Sequence, residues 1–429
     1  MSDVFNRRSF LSTTAATAAA TTFYGAARSD DGVPPSEQIT VGVMGLSRGL
    51  SLCGTFGAQP GVKLKYVSDV DSERLASAVA HIEKNSEQRP AGVEDFRTIL
   101  DDPEVDVLVC AAPNHWHAPA SILACTAEKH VYVEKPCSHN AREGELLVEA
   151  ARKYNRAVQM GSQRRSSPGF QLAVQLLQEG VIGRVYLARS WYNSLRGSIG
   201  AGQPAEVPER LNYDLWQGPA PRTPYIDNRV HYNWHWFWHW GNGELGNNGV
   251  HALDICRWGL GVDYPVRVTS SGGRYRFDDD QQTPDTHIAA YEFEGGMMAT
   301  WEGLSCNKHR IASGFVEFYG EEGTLSLEHT GSFKVLDINE KVIREEKSGY
   351  NDADHVANLL AAIRNDKPLE LNAEILDGHQ STLLCHLGNI AWRTGRTLNC
   401  SATDGRILGD DDAMKHWGRE YEPGWEPVV

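Results

Sequence analysis

The run His130-Val131-Tyr132-Val133-Glu134-Lys135-Pro136 ends a short β-branched and aromatic segment in a lysine followed by a proline. Such a segment reads as a buried strand, and the proline, which lacks a ladder donor, stops it there. In an open parallel sheet, ligands sit beyond the carboxyl ends of the strands. Lys135 is therefore a cation carried by a rigid element to the rim where such sheets bind ligands, able to polarise an oxygen there. Taken alone, the pattern also fits a surface lysine reaching into water.

A second group lies far along the chain. In Gly243-Glu244-Leu245-Gly246-Asn247-Asn248-Gly249-Val250-His251-Ala252-Leu253-Asp254-Ile255-Cys256-Arg257-Trp258, helical spacing puts Asn247, His251, Asp254 and Trp258 on one stripe. A histidine can take or give a proton near neutral pH. Just before it comes His231-Tyr232-Asn233-Trp234-His235-Trp236-Phe237-Trp238-His239-Trp240. With period two, Tyr232, Trp234, Trp236, Trp238 and Trp240 share one face, and His231, His235 and His239 the other. The tryptophan face suits the C–H face of a sugar ring, and simple core packing accounts for part of it. The histidines also fall at i, i+4 and i+8, but no acidic ligand accompanies them, so no metal site is expected.

Two further turns lie at strand ends. Gly45-Leu46-Ser47-Arg48-Gly49 follows an apolar run, and Asp69 ends the next strand 24 residues after Gly45. Glycines there let the backbone approach a pyrophosphate, which rests on the helix N-terminus, and the acid would accept from a ribose hydroxyl. The glycine pattern is imperfect, because the usual second glycine is Ser47. An ordinary strand-to-helix turn is the other reading. Pro113-Asn114-His115-Trp116-His117 ends a third strand. Its polar groups, Asn114 and His117 among them, could hold a nicotinamide and its ribose, or simply cap a helix.

The elements that must position these residues alternate. Strands at 39–44, 62–68, 106–111, at the lysine run and at 157–160 are separated by helical stretches such as 141–154, which predicts a doubly wound parallel sheet. Beyond Gly161, strand candidates at 184–192, 266–275, 286–293, 297–303, 314–319 and 324–328 with glycine turns predict a largely antiparallel sheet, closed by helices at 354–364 and 373–394.

Composition narrows the classes. The chain has 429 residues, long enough for two domains. A net charge of −15 opposes nonspecific nucleic-acid binding. No apolar run is long enough to span a membrane. The eight cysteines show no C-x-x-C pair and several lie in apolar runs, so buried free thiols are expected. At the N-terminus, Asn6-Arg7-Arg8-Ser9-Phe10-Leu11 precedes an Ala/Thr tract and Gly25-Ala26-Ala27. This predicts a twin-arginine leader over 1–27, export to the periplasm, and an extended arm over 28–37.

Jointly, the motifs resemble the glucose–fructose oxidoreductase / inositol dehydrogenase (Gfo/Idh/MocA) family over residues 39 to about 394. The carrying residues are the Gly45 turn, Asp69, Pro113-Asn114-x-x-His117, Glu134-Lys135-Pro136, Gln159-Met160-Gly161-Ser162-Gln163-Arg164-Arg165 and Gly249-x-His251-x-x-Asp254. The resemblance implies a Rossmann domain over 38–160 and a substrate domain over 161–429, an α+β unit whose large open sheet often mediates oligomerisation, so a homo-oligomer (dimer or tetramer) is expected. It implies that Lys135 contacts the reacting hydroxyl and the nicotinamide, and that His251 transfers the proton. The family usually has an aspartate four residues before this histidine. Here it is Asn247, which can orient a hydroxyl but cannot carry charge.

The expected cofactor is NAD, with NADP open, held by Gly45, Ser47, Arg48, Gly49, Asp69, Pro113, Asn114, His117, Glu134 and Lys135. Free NAD is scarce outside the cytoplasm, so it should stay tightly bound. Arg164, Arg165, Trp234, Trp236 and Trp238 are expected to line the pocket with Asn247 and His251. The expected activity is hydride transfer between this cofactor and a sugar, polyol or sugar derivative. An NAD-dependent glycosidase working by oxidation, elimination, hydration and reduction is one alternative; a non-catalytic sugar- or nucleotide-binding protein is another.

Overall fold

The computed structural model describes residues 37–308 and 314–429. The expected leader, and all of the expected arm but Glu37, lie outside the described residues. The chain first builds β1 (Ile39–Met44), α1 (Arg48–Gly57), β2 (Val62–Ser68), α2 (Ser72–Asn85), β3 (Ala91–Val93), α3 (Arg97–Asp101), β4 (Val107–Cys110), α4 (Asn114–Thr126), β5 (His130–Val133), α5 (Ala141–Lys153) and β6 (Val158–Met160). The six strands form a parallel sheet in the order β3-β2-β1-β4-β5-β6. β1 and β4 are buried along their whole length, as strands covered on both faces must be. That strand order reverses at β1, so a crevice opens between the carboxyl ends of β1 and β4.

The second unit contains α6 (Pro168–Gln178), β7 (Val185–Leu195), α7 (Tyr213–Gln217), α8 (Val250–Leu260), β8 (Arg267–Gly273), β9 (Thr286–Phe293), β10 (Met297–Leu304), β11 (Cys306–Asn307), β12 (Val316–Gly320), β13 (Gly323–Leu327), β14 (Phe333–Asp337) and β15 (Val342–Glu346). α9 (Asp352–Arg364), α10 (Ile375–Thr394), β16 (Leu398–Asn399) and α11 (Asp411–Met414) follow. Its sheet runs β15-β14-β13-β12-β7-β10-β9-β8-β16, antiparallel except where β7 lies beside β10. Alternating burial along β9 and β12 shows one face packed and one face open. The β14–β15 hairpin extends the sheet beyond the last strand expected from sequence. Its outer strand is charged and exposed, as a managed sheet edge should be.

Two helices tie the units together. α10 is buried for most of its length and packs against α5 of the first unit and α8 of the second. α9, expected to close the second domain, instead lies against α1, with Val356, Leu359 and Leu360 in the core beneath the first sheet. The cysteines are free, and all but Cys306 are buried. No helix among the described residues is long and apolar enough to cross a membrane.

Candidate active site

A cleft of about 540 Å³ opens over the carboxyl ends of β1, β2, β4 and β5. At its floor, Gly45 adopts φ +87°, a left-handed conformation that a side chain would strain. A Cβ at that position would stand 2.7 Å from the Ala111 carbonyl oxygen, so the turn passes β4 at a distance only glycine permits. Asp69 fixes the turn, its Oδ2 accepting from the Leu46 N–H at 2.9 Å. Ser47 gives α1 no side-chain cap. The first amides of α1 are therefore left for a ligand at the positive end of the helix. This cradle fits a dinucleotide pyrophosphate, with the Asp69 carboxylate on the cleft wall for a ribose hydroxyl.

The other expected cofactor contacts divide. Pro113, Asn114, His117, Glu134, Lys135, Ser47 and Arg48 line the cleft. Gly49 does not; it lies against the Val43 side chain, 3.0 Å from where its Cβ would be, and so serves close packing of helix on strand. The Arg48 guanidinium is committed to Glu134 at 3.1 Å and Asp352 at 2.5 Å, which leaves its backbone N–H for a phosphate. Both His117 ring nitrogens face carbonyl oxygens, those of Pro136 and Ala112, so its polar edge braces the loop after Lys135. Asn114 donates to Asn242 Oδ1 at 3.0 Å, joining the two units across the crevice.

Lys135 leaves the end of β5 and reaches the second unit. Its Nζ donates to the Asn247 carbonyl oxygen at 2.8 Å and to Asn247 Oδ1 at 3.2 Å. Residues 245–249 form a π-helical turn leading into α8, which places His251 in the same cleft wall, four residues on from Asn247. Behind them, Glu244 is buried and accepts from Arg196 Nε at 2.7 Å. Its Oε1 also accepts from the amides of Asn248 and of Asn247, the latter at 3.4 Å. That contact turns the Asn247 oxygen toward the lysine. Sequence reasoning missed Glu244; an acid three residues ahead of Asn247 in an apolar, glycine-rich run was the available signal.

Burial, reinforced by Arg164 and Lys135, holds the His251 imidazole well below the usual histidine range. At neutral pH the ring is uncharged and able to accept a proton. Burial also lowers Lys135; Glu134 and Glu244 oppose this, and Arg48 and Arg164 add to it.

The remaining expectations need correction. Arg165 does not line the cleft. It is buried in an ion pair with Asp254, at 2.9 Å, and stacks over Trp258. The stripe of Asn247, His251, Asp254 and Trp258 thus splits into a cleft half and a structural half. The aromatic run is not a strand: a 3₁₀ turn spans Asn233–Trp236 and its side chains scatter. Trp234 reaches the cleft, stacked on His235. Trp236 is buried beneath the Arg196 guanidinium, and Trp238 packs against Trp392 and Arg393 outside the cleft. His231 turns to Asp71, His235 to the Tyr232 carbonyl and His239 to the Pro221 carbonyl, three separate partners.

The segment from Arg196 to Asn242, of which sequence reasoning read only the aromatic run, crosses back over the first unit. Asn212 N donates to the Val70 carbonyl, and Arg210 and His231 both bind Asp71, each at 2.9 Å. It brings Leu215, Trp216, Tyr232, Trp234 and His235 over the cleft.

A reversing parallel sheet, a glycine turn under an uncapped helix and an acid at the end of β2 define a dinucleotide-binding protein, with an uncharged histidine and a lysine in the same cleft. Family models agree: residues 39–162 match the oxidoreductase family's NAD-binding Rossmann fold, and residues 189–425 its C-terminal alpha/beta domain. The chain belongs to the Gfo/Idh/MocA oxidoreductase family.

Levoglucosan dehydrogenase of Pseudarthrobacter phenanthrenivorans is 28% identical over 177 residues, which cover 41% of this chain and 38% of that protein. Glycosyl hydrolase family 109 protein 2 of Shewanella sp. (strain ANA-3) is 27% identical over 209 residues, covering 44% and 46%. The chain thus spans under half the length of these relatives. A solved structure of levoglucosan dehydrogenase in complex with NADH and levoglucosan shares the fold, with a TM-score of 0.65 at 19% identity over 84% of this chain and 99% of that one.

The Lys135–Asn247 contact makes a direct prediction. Asn247→Asp would place a carboxylate against the ammonium, which raises a pKa by about 1–3 units. The pH at which an amine-reactive reagent labels Lys135, read by mass spectrometry of its peptide, is expected to rise accordingly. An unchanged labelling profile would show that the Asn247 side chain does not bear on the lysine.

Proposed function

We propose that this protein is an NAD-dependent oxidoreductase acting on a sugar, polyol or sugar derivative. The observation that carries the reading is the meeting of Lys135, Asn247 and an uncharged His251 in one cleft with the Gly45 cradle. A bound nicotinamide supplies the two-electron acceptor for the hydride of a carbinol carbon. Lys135 Nζ then donates to the carbinol oxygen and draws charge from it, while Asn247 orients the lysine. His251 accepts the hydroxyl proton on its ring. The overlying segment from Arg196 to Asn242 keeps water from the reacting carbon.

A second reading has support from the partial similarity to glycosyl hydrolase family 109 proteins. There the same residues would oxidise the sugar transiently, with elimination, hydration and re-reduction leaving no net NADH. One assay separates the two: a panel of sugars and glycosides read by both NADH absorbance and product chromatography. NADH formation with an oxidised product is expected, reduced by about 10²–10⁴ in Lys135→Met. Net hydrolysis without NADH selects the glycosidase, and turnover unaffected by the substitution contradicts both.

The Arg7-Arg8 leader supports export of the folded protein to the periplasm, with the cofactor loaded beforehand and retained. Mature protein recovered from the periplasm is expected to be a homo-oligomer that releases near-stoichiometric nucleotide on denaturation. Replacing both arginines by lysine should keep it in the cytoplasm. Periplasmic protein that is active but holds no nucleotide would contradict retention.

A further inference from the structure

Arg164 lines the cleft together with Lys135 and His251, carried there by the 3₁₀ turn Gln163–Ser166 that follows β6. The arginines around it have carboxylate partners. Arg165 holds Asp254, and Arg48 holds Glu134 and Asp352. Arg164 makes no ion pair or hydrogen bond through its guanidinium among the described residues, and its Nε is buried without a partner. The carboxylates whose charge reaches it, Asp254 and Asp352, are each engaged by another arginine. What holds it instead is aromatic: the Phe315 ring at 4.6 Å and the Tyr350 ring at 5.4 Å from the guanidinium carbon.

A desolvated guanidinium is costly unless an anion completes it. The overall charge of −15 does not draw anions to the molecule, so any preference for one must come from this local group. Rings packed on the guanidinium leave its N–H edge as the binding surface, and that planar fork matches a carboxylate with two parallel hydrogen bonds.

We propose that Arg164 receives a carboxylate carried by the substrate, so that the sugars this site takes are acidic ones of the uronate class. This rests on the proposed function only for where the substrate lies. Binding, not turnover, therefore tests it. Full-chain protein with NAD is titrated by calorimetry with D-glucuronate and D-galacturonate, with D-glucose and D-galactose, and with glucose 6-sulfate. At least one uronate is expected to bind about 10- to 100-fold more tightly than its neutral parent. Arg164→Gln should abolish that preference, costing the uronate far more affinity than its neutral parent, while Arg164→Lys, a charge without the fork, keeps part of it.

Equal affinity for acidic and neutral sugars overturns the proposal, as does the absence of uronate binding, or an Arg164→Gln loss that falls alike on both. Tighter binding of the sulfate ester than of either uronate overturns the carboxylate assignment. An intact uronate preference without redox turnover would sink the proposed function alone. Oxidation of neutral sugars with no uronate preference would sink this inference alone.

Discussion

The Lys135 ammonium bonds the backbone and side chain of Asn247 across the boundary between two separately built sheets. Much of the architecture serves to make that contact possible. β5 is buried and held between β4 and β6, so the lysine at its end starts from a fixed point. On the other side, the turn carrying Asn247 is pinned by Glu244, which Arg196 holds from the end of β7. α10 packs on both units and fixes their separation. Displacing either side by one ångström would exchange a hydrogen bond for a gap, with a cost in rate that can reach about 10²-fold.

The same logic explains why a polar chain of residues is buried at the centre of the molecule. An amide at position 247 leaves the lysine without a carboxylate in direct contact. The negative charge instead sits one step back, on Glu244, and is shared with Arg196. The ammonium is thus steadied while its free energy of deprotonation is lowered by burial, which suits the donor role proposed for it. The role proposed for His251 calls for the opposite condition, an uncharged ring, and burial beside Arg164 and Lys135 provides it.

Much of the first unit was legible because continuous apolar runs such as Val107–Cys110, alternating with helical stretches, match strands covered on both faces. Lys135, Asp69 and the Gly45 turn were readable for a related reason: each stands where such a run stops. The errors arose where long-range packing overrode local period. Arg164 and Arg165 are adjacent in sequence, yet a 3₁₀ turn of three residues per revolution sends them in different directions, one to the cleft and one to Asp254. The period-two pattern of the tryptophans was real in sequence but had no neighbouring strand to pair with. The chain turned instead, burying Trp236 and Trp240. The bond between His231 and Asp71, 160 residues apart, left no local trace at all.

By the proposed function, the two units deliver their groups to one reacting carbon beside a nicotinamide. Protein loaded with NADH doubly deuterated at C4 and incubated with oxidised sugars tests this most directly, with sugar products analysed by mass spectrometry. Deuterium on a single sugar carbon, lost when Lys135 is replaced by methionine, is the result predicted. A protein that binds the labelled nucleotide and the sugars but never moves the label would contradict it.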